Sequence, residues 1–146
     1  MRYVLDTTAF SALMRREYLI LQFLKSHTPG DIRTVPPVVA EIFYGIERLK
    51  KGSRKYRLLK AEAERILSVL EVLPWTHEAS LCFGAIKSDL ERRGALIDDL
   101  DIAIASISIA HGCCVVTKNL RHFSRINGLK SRDWEQMREQ NPKGQQ

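Results

Sequence analysis

Apolar positions along the chain alternate between two patterns. Short runs rich in β-branched residues predict strands at residues 2–6, 32–35, 69–73 and 113–117, with 128–132 as a candidate edge strand. Longer stretches with helical spacing lie between them, at 8–14, 17–26, 38–50, 53–68, 76–93, 99–110 and 119–124. In the third of these, Val38, Ile42, Ile46 and Leu49 fall on one face while Glu41 and Glu47 lie off it. Pro36-Pro37 opens that helix and Gly52-Ser53 breaks it; Thr76, Gly94 and His111-Gly112 supply further starts and stops. Strands alternating with helices predict βαβ units around a parallel sheet. The continuous apolar run at 113–117 belongs in the middle of that sheet.

The 146 residues suffice for one domain, expected over 1–135, with a polar tail at 136–146. A hydrophobic fraction of 45% excludes global disorder. The longest apolar stretch, 102–110, contains two serines and falls well short of the ~20 residues of a membrane span, so it predicts a core helix. An acid as early as Asp6 leaves no room for a secretion signal, which predicts a cytoplasmic protein. Cys82, Cys113 and Cys114 lack metal-finger spacing and sit in apolar surroundings, where cysteine packs as a small hydrophobe. The formal charge of +6 favours a polyanionic or acidic partner without choosing one.

In open parallel sheets, ligands bind beyond the carboxyl ends of the strands. The predicted topology can bring four polar residues to that end: Asp6 after the first strand, Glu41 in the helix after the second, Asp101 in the first turn of helix 99–110, and Asn119 beyond the fourth strand. Clustered carboxylates repel one another and resist desolvation, so such a group calls for a hard cation. Each residue also has a plainer role. Asp6 and Asn119 can cap helices, Asp98, Asp99 and Asp101 can complement a helix dipole, and Glu41 can face solvent.

The segments around these residues change the balance. Val4-Leu5-Asp6-Thr7-Thr8, Val39-Ala40-Glu41-Ile42-Phe43-Tyr44-Gly45, Ile97-Asp98-Asp99-Leu100-Asp101-Ile102-Ala103-Ile104-Ala105 and Val115-Val116-Thr117-Lys118-Asn119-Leu120-Arg121-His122-Phe123 resemble, in order, the four motifs of PIN-domain ribonucleases, most closely the VapC toxins of toxin–antitoxin pairs. The likeness runs from Tyr3 to Asp133-Trp134. It implies a three-layer α/β/α domain with a central, mostly parallel sheet of four to five strands. It also implies a catalytic group of Asp6, Glu41, Asp101 and Asn119, with magnesium or manganese held by Asp6 and Asp101 and with Glu41 as an additional candidate ligand. Thr117, Asp99 and Thr8 would support them, Thr8 standing where the family usually has Asn. Asn119 carries one charge fewer than the Asp often found there. The implied activity is endoribonuclease cleavage of tRNA or another structured RNA by a toxin restrained by a VapB-type antitoxin. A homodimer is also implied, with Tyr44, Ile46 and residues 17–26 as candidate contacts.

Two basic groups bear on the substrate. Arg48, Lys50, Lys51, Arg54, Lys55, Arg57 and Lys60 occur with no intervening acid, and such a run can be a solvated face, a phosphate track or a dock for an acidic antitoxin segment. Lys118, Arg121, His122 and Arg125 follow the fourth motif, so Arg121, Lys118 and Arg125 are the candidate RNA contacts. The four histidines share no motif, which favours metal-assisted hydrolysis over paired acid–base catalysis. Two rivals are weighed against this reading. A haloacid-dehalogenase-type phosphatase would need a second Asp where Thr8 stands, and a non-catalytic RNA- or partner-binding module would tolerate the loss of Asp6.

Overall fold

The computed structural model describes residues 1–136. Five short parallel strands form one sheet in the order β3-β2-β1-β4-β5: β1 Tyr3–Leu5, β2 Ile32–Thr34, β3 Glu71–Val72, β4 Cys114–Val116 and β5 Ser131–Arg132. Helices α1 Thr7–Met14, α2 Tyr18–Lys25, α3 Pro36–Glu47, α4 Arg54–Leu67, α5 His77–Arg92, α6 Asp99–Ala110 and α7 Leu120–Phe123 connect them. Packed on both faces of the sheet, they make three layers, α/β/α.

Every residue of β1 and β4 is buried, as befits strands covered on both sides. Tyr3, Val4 and Leu5 pair with Cys114, Val115 and Val116, and Asp6 N–H continues the ladder to the Val116 carbonyl at 3.1 Å. The chain builds outward from β1 through β2 to β3, then returns to the other side of β1 for β4. This reversal opens a crevice at the carboxyl ends of β1 and β4.

Helix α6 is the core helix that its composition predicts. Ile102 through Ser108 are all buried, and the Ser106 and Ser108 hydroxyls donate back to the Ile102 and Ile104 carbonyls at 2.6 and 2.7 Å. Gly112, with φ +68°, lets the chain turn out of this helix, and the Cys113 N–H closes the turn on the Ser108 carbonyl. Cys113 and Cys114 are buried free thiols and Cys82 is half-buried. None of the helices described is long and apolar enough to cross a membrane.

Several expected boundaries shift. Val69 and Leu70 do not belong to β3; their N–H groups bond to the Ile66 carbonyl and close the turn after α4, leaving Val69 exposed. An edge strand has a partner on one side only, so its apolar run need not be strand throughout. Helix α3 begins at the prolines and ends at Glu47, with Leu49 already in a turn. At the far edge only Ser131–Arg132 of 128–132 pairs with β4, because Gly128 (φ +84°) reverses the chain first. Ile46 is a core residue, so it cannot be a dimer contact, whereas Tyr44 beside it is exposed. Of the expected tail, residues 137–146 lie outside the described residues.

Candidate active site

Asp6 sits at the reversal of the sheet, immediately after β1, and is 2% exposed. It does cap α1, since its Oδ1 accepts the Ala9 N–H at 2.9 Å. Capping leaves most of its hydrogen bonding unexplained. Thr8 Oγ1 donates to the same Oδ1 at 2.6 Å and itself accepts the Lys118 N–H at 2.9 Å. Thr117 Oγ1 donates to Oδ2 at 2.5 Å and itself accepts the Asn119 N–H at 2.7 Å. Two relays of backbone N–H, threonine hydroxyl and carboxylate thus tie the loop after β4 to both oxygens of Asp6. Linked hydrogen bonds of this kind polarise one another and fix the orientation of the carboxylate.

Among the described residues, Asp101 and Glu41 are each held by a single side-chain donor. At the start of α6 three acids diverge. Asp98 caps the helix through the Leu100 N–H, and Asp99 is drawn outward to Lys87 at 3.0 Å. Asp101 is the one held by His122, whose Nδ1 lies 3.2 Å from Oδ2. Glu41 Oε1 accepts from Thr7 Oγ1 at 2.6 Å, so it joins the site through the neighbour of Asp6. Every one of the three carboxylates keeps acceptor capacity beyond these bonds.

Charge at this end is poorly compensated. Burial pushes the Asp6 carboxyl up to about 6; the bonds from Thr117, Thr8 and Ala9 pull it back, and Asp101 pushes it further up. Asp101 is also raised, first by burial, with His122 opposing. Among the described residues no Lys, Arg or His forms an ion pair with Asp6, and none of the leading influences on its carboxyl is a cation.

Among the described residues, no three His, Cys, Asp or Glu side chains converge into a ready-made metal cage. The chemistry of the donor set still fits a hard divalent ion. Such ions take oxygen ligands, retain several waters and need only one or two carboxylates, and a cation here would relieve the buried charge of Asp6.

The other predicted residues divide. Asn119 makes no side-chain cap bond to α7, so the plain capping role fails for it. Arg121 is exposed, and among the described residues its guanidinium has no hydrogen-bond partner. Lys118 lies 5.0 Å over the Trp134 ring and pairs with Asp133 at 3.3 Å and with Glu135. Arg125 bonds to the Ala95 and Leu96 carbonyls at 3.4 and 3.3 Å, which ties down the loop before α6 instead of facing outward. In the basic run, Lys51 pairs with Glu47, Arg57 caps the Gly52 carbonyl, and Arg48 and Lys60 lie over Tyr44 and Tyr56. An open groove of about 440 Å³ beside the site is lined by Thr7, Thr8, Ser11, Arg15, Glu17, Lys118 and Trp134.

Thr7 is not among the site residues expected from sequence, and His122 is expected only as a member of the basic group after the fourth motif, not as a partner of an acid. Thr7 adjoins Asp6 and could have been found from that adjacency. His122 is three residues beyond Asn119, one helical turn, but nothing local links it to Asp101, 21 positions earlier.

The PIN domain family model matches residues 3–129. Ribonuclease VapC2 of Haemophilus influenzae is 30% identical over 134 residues, spanning 92% of this chain and 98% of that protein. The tRNA(fMet)-specific endonuclease VapC of Salmonella typhimurium is 30% identical over 136 residues, with the same coverage of 92% and 98%. Among solved structures, DNA-bound VapBC from Salmonella typhimurium superposes with a TM-score of 0.81 at 29% identity, covering 92% of this chain and 98% of that one. VapBC2 from Rickettsia felis, bound to a promoter DNA fragment, gives 0.78 at 29% identity, covering 92% and 99%.

Proposed function

The chain belongs to the PIN-domain family, among the VapC ribonucleases, and on that premise we propose that it is a metal-dependent endoribonuclease, the toxin of a toxin–antitoxin pair. The observation that carries the reading is Asp6: a buried carboxylate at the sheet reversal, facing a second acid and paired with no cation among the described residues. Its substrate is RNA, with tRNA or another structured RNA the favoured target.

In this reading Asp6 and Asp101 hold magnesium or manganese, with Glu41 as a further ligand. Held there, a divalent ion would supply Lewis acidity for activating water and for neutralising charge on phosphate oxygens. Thr8 and Thr117 keep Asp6 in one orientation, and Thr117 also sets the loop that carries Asn119. Asn119, an amide at the fourth position, orients water or phosphate through neutral hydrogen bonds. Arg121 is the first choice for gripping a substrate phosphate, because its charge is not taken by another side chain among the described residues. Lys118 can serve only by leaving Asp133 and Glu135, and Arg125 acts on the fold of the adjacent loop. Asp99, held by Lys87, sets the start of α6 and stays off the ion.

A VapB-type antitoxin, a homodimeric toxin that uses Tyr44 and residues 17–26, and a cytoplasmic location complete the proposal. A dehalogenase-type phosphatase is not favoured: Thr8 occupies the place of the required second Asp, and its hydroxyl is spent on Asp6. A non-catalytic binding module would leave the uncompensated burial of Asp6 without a purpose.

The test is end mapping on total RNA incubated with the protein and magnesium, against chelator and Asp6→Asn controls. Cleavage leaving 5′-phosphate and 3′-hydroxyl ends is expected, lost in both controls. A 2′,3′-cyclic phosphate product, or undiminished cleavage by Asp6→Asn, would overturn it.

A further inference from the structure

The three acids of the site are not anchored alike. Asp6 receives three hydrogen bonds, and Glu41 receives one from a threonine next to Asp6 in the chain. Asp101 depends on His122 alone: Nδ1 is 3.2 Å from Oδ2, and no other side-chain bond to Asp101 occurs among the described residues. An ionised carboxylate can only accept, so Nδ1 is the protonated nitrogen and donates.

The imidazole is well placed to hold a rotamer. It stands on the one-turn helix α7, whose next residue, Phe123, is fully buried and fixes the turn against the core. The Asp101 side chain is only 17% exposed, while His122 keeps 44% of its own surface open. His122 therefore spans from a rigid anchor to a site carboxylate that has no other side-chain partner among the described residues.

We propose that His122 is the positioning residue of this site: by donating from Nδ1 to one oxygen of Asp101, it presents the other oxygen to the divalent cation. The inference rests on the metal-nuclease reading and adds a residue to it. Groups that hydrogen-bond a metal's ligands commonly set affinity about 10–100-fold.

The test is calorimetric titration of the full chain with Mn²⁺, comparing wild type, His122→Phe, His122→Asn and Asp6→Asn. Phe keeps a planar ring without a donor, and the Asn amide can place an N–H close to where Nδ1–H stood. Thermal unfolding without metal checks that each variant is folded. Expected are Mn²⁺ binding weakened about tenfold or more in His122→Phe, restored to within about threefold of wild type in His122→Asn, and absent in Asp6→Asn. In RNA cleavage, saturating Mn²⁺ is expected to restore His122→Phe with KM for RNA unchanged. Wild-type Mn²⁺ affinity in His122→Phe, no recovery in His122→Asn, or a cleavage defect that excess Mn²⁺ does not relieve would overturn the inference while leaving the metal reading intact. Failure of the wild type itself to bind Mn²⁺ would overturn both.

Discussion

Two carboxylates of this molecule, Asp6 and Glu62, show opposite ways of placing an acid in a fold. Glu62, on α4, is gripped by Arg65 at 2.7 and 3.1 Å and by Arg16 at 3.3 Å, and these guanidiniums, Arg65 foremost, pull its carboxyl down to about 2. Asp6 is held just as firmly, but by hydroxyls and a backbone amide, and its carboxyl is pushed up to about 6 by burial. The first acid carries its countercharge within the chain and serves the packing of α4 against the turn after α1. The second is oriented and left uncompensated, which is what a site reserved for an exogenous cation requires.

The largest break in this contrast is Asp6→Asn. It is expected to lower RNA cleavage by about a thousandfold or more, roughly 4 kcal/mol of transition-state stabilisation, read as initial rates with magnesium. Folding is expected to survive, because the amide can still accept from Ala9 N–H and face the Thr117 hydroxyl.

Next in size is the pH dependence of the metal-free protein. Asp6 has a folded pKa near 6 against about 3.9 unfolded, so between these values the folded state holds a proton that the unfolded chain releases. Stability is then full below about pH 4 and falls by about 3 kcal/mol as pH rises through 6. Denaturant unfolding at pH 4, 5, 6 and 7 would show this slope in wild type and a shallower one in Asp6→Asn, where the raised Asp101 still contributes. Adding Mn²⁺ at pH 7 should recover stability in wild type only.

The cations sharpen the same contrast. Arg16 and Arg65 are committed to Glu62, whereas Arg121 is not committed within the described residues. Arg121→Ala is expected to raise KM for RNA about fivefold and to reduce the salt slope of binding by about 1, with an unchanged melting temperature.

Smallest is Glu62→Gln. Its ion pairs are partly solvated, so a loss of about 1 kcal/mol or less is expected at neutral pH, with RNA cleavage unchanged. Because the Glu62 pKa is lowered, this contribution is present above about pH 4.5 and disappears as pH falls toward 2, the reverse of the Asp6 dependence.

The parallel α/β architecture was legible in sequence because two different periods alternate along the chain, and α6 and β4 could be placed in the core from apolar continuity alone. Edge elements were less legible. In β3 and β5 only two residues pair, and short apolar or polar stretches carry little periodicity. Asp6, Glu41, Asp101 and Asn119 could be nominated because each follows or begins a predicted element. Of their partners, Thr8 and Thr117 came only through the family resemblance, since Thr117 meets Asp6 across 111 residues, and the pairing of His122 with Asp101 across 21 residues was not legible at all.

Local order therefore set which residue types stand at strand ends and helix starts, through patterning, caps and turn residues that act within a few positions. Tertiary structure decided what each charge faces. It turned Asp101 toward His122 and Asp99 toward Lys87, although the two acids are neighbours in one helical turn, and it gave Lys118 to Asp133 and Glu135 while leaving Arg121 open. Charge pairing depends on side-chain direction and burial, which exist only once distant segments have packed together. The sequence could therefore supply the acids of the site, but only packing could bury Asp6 with no countercharge among the described residues.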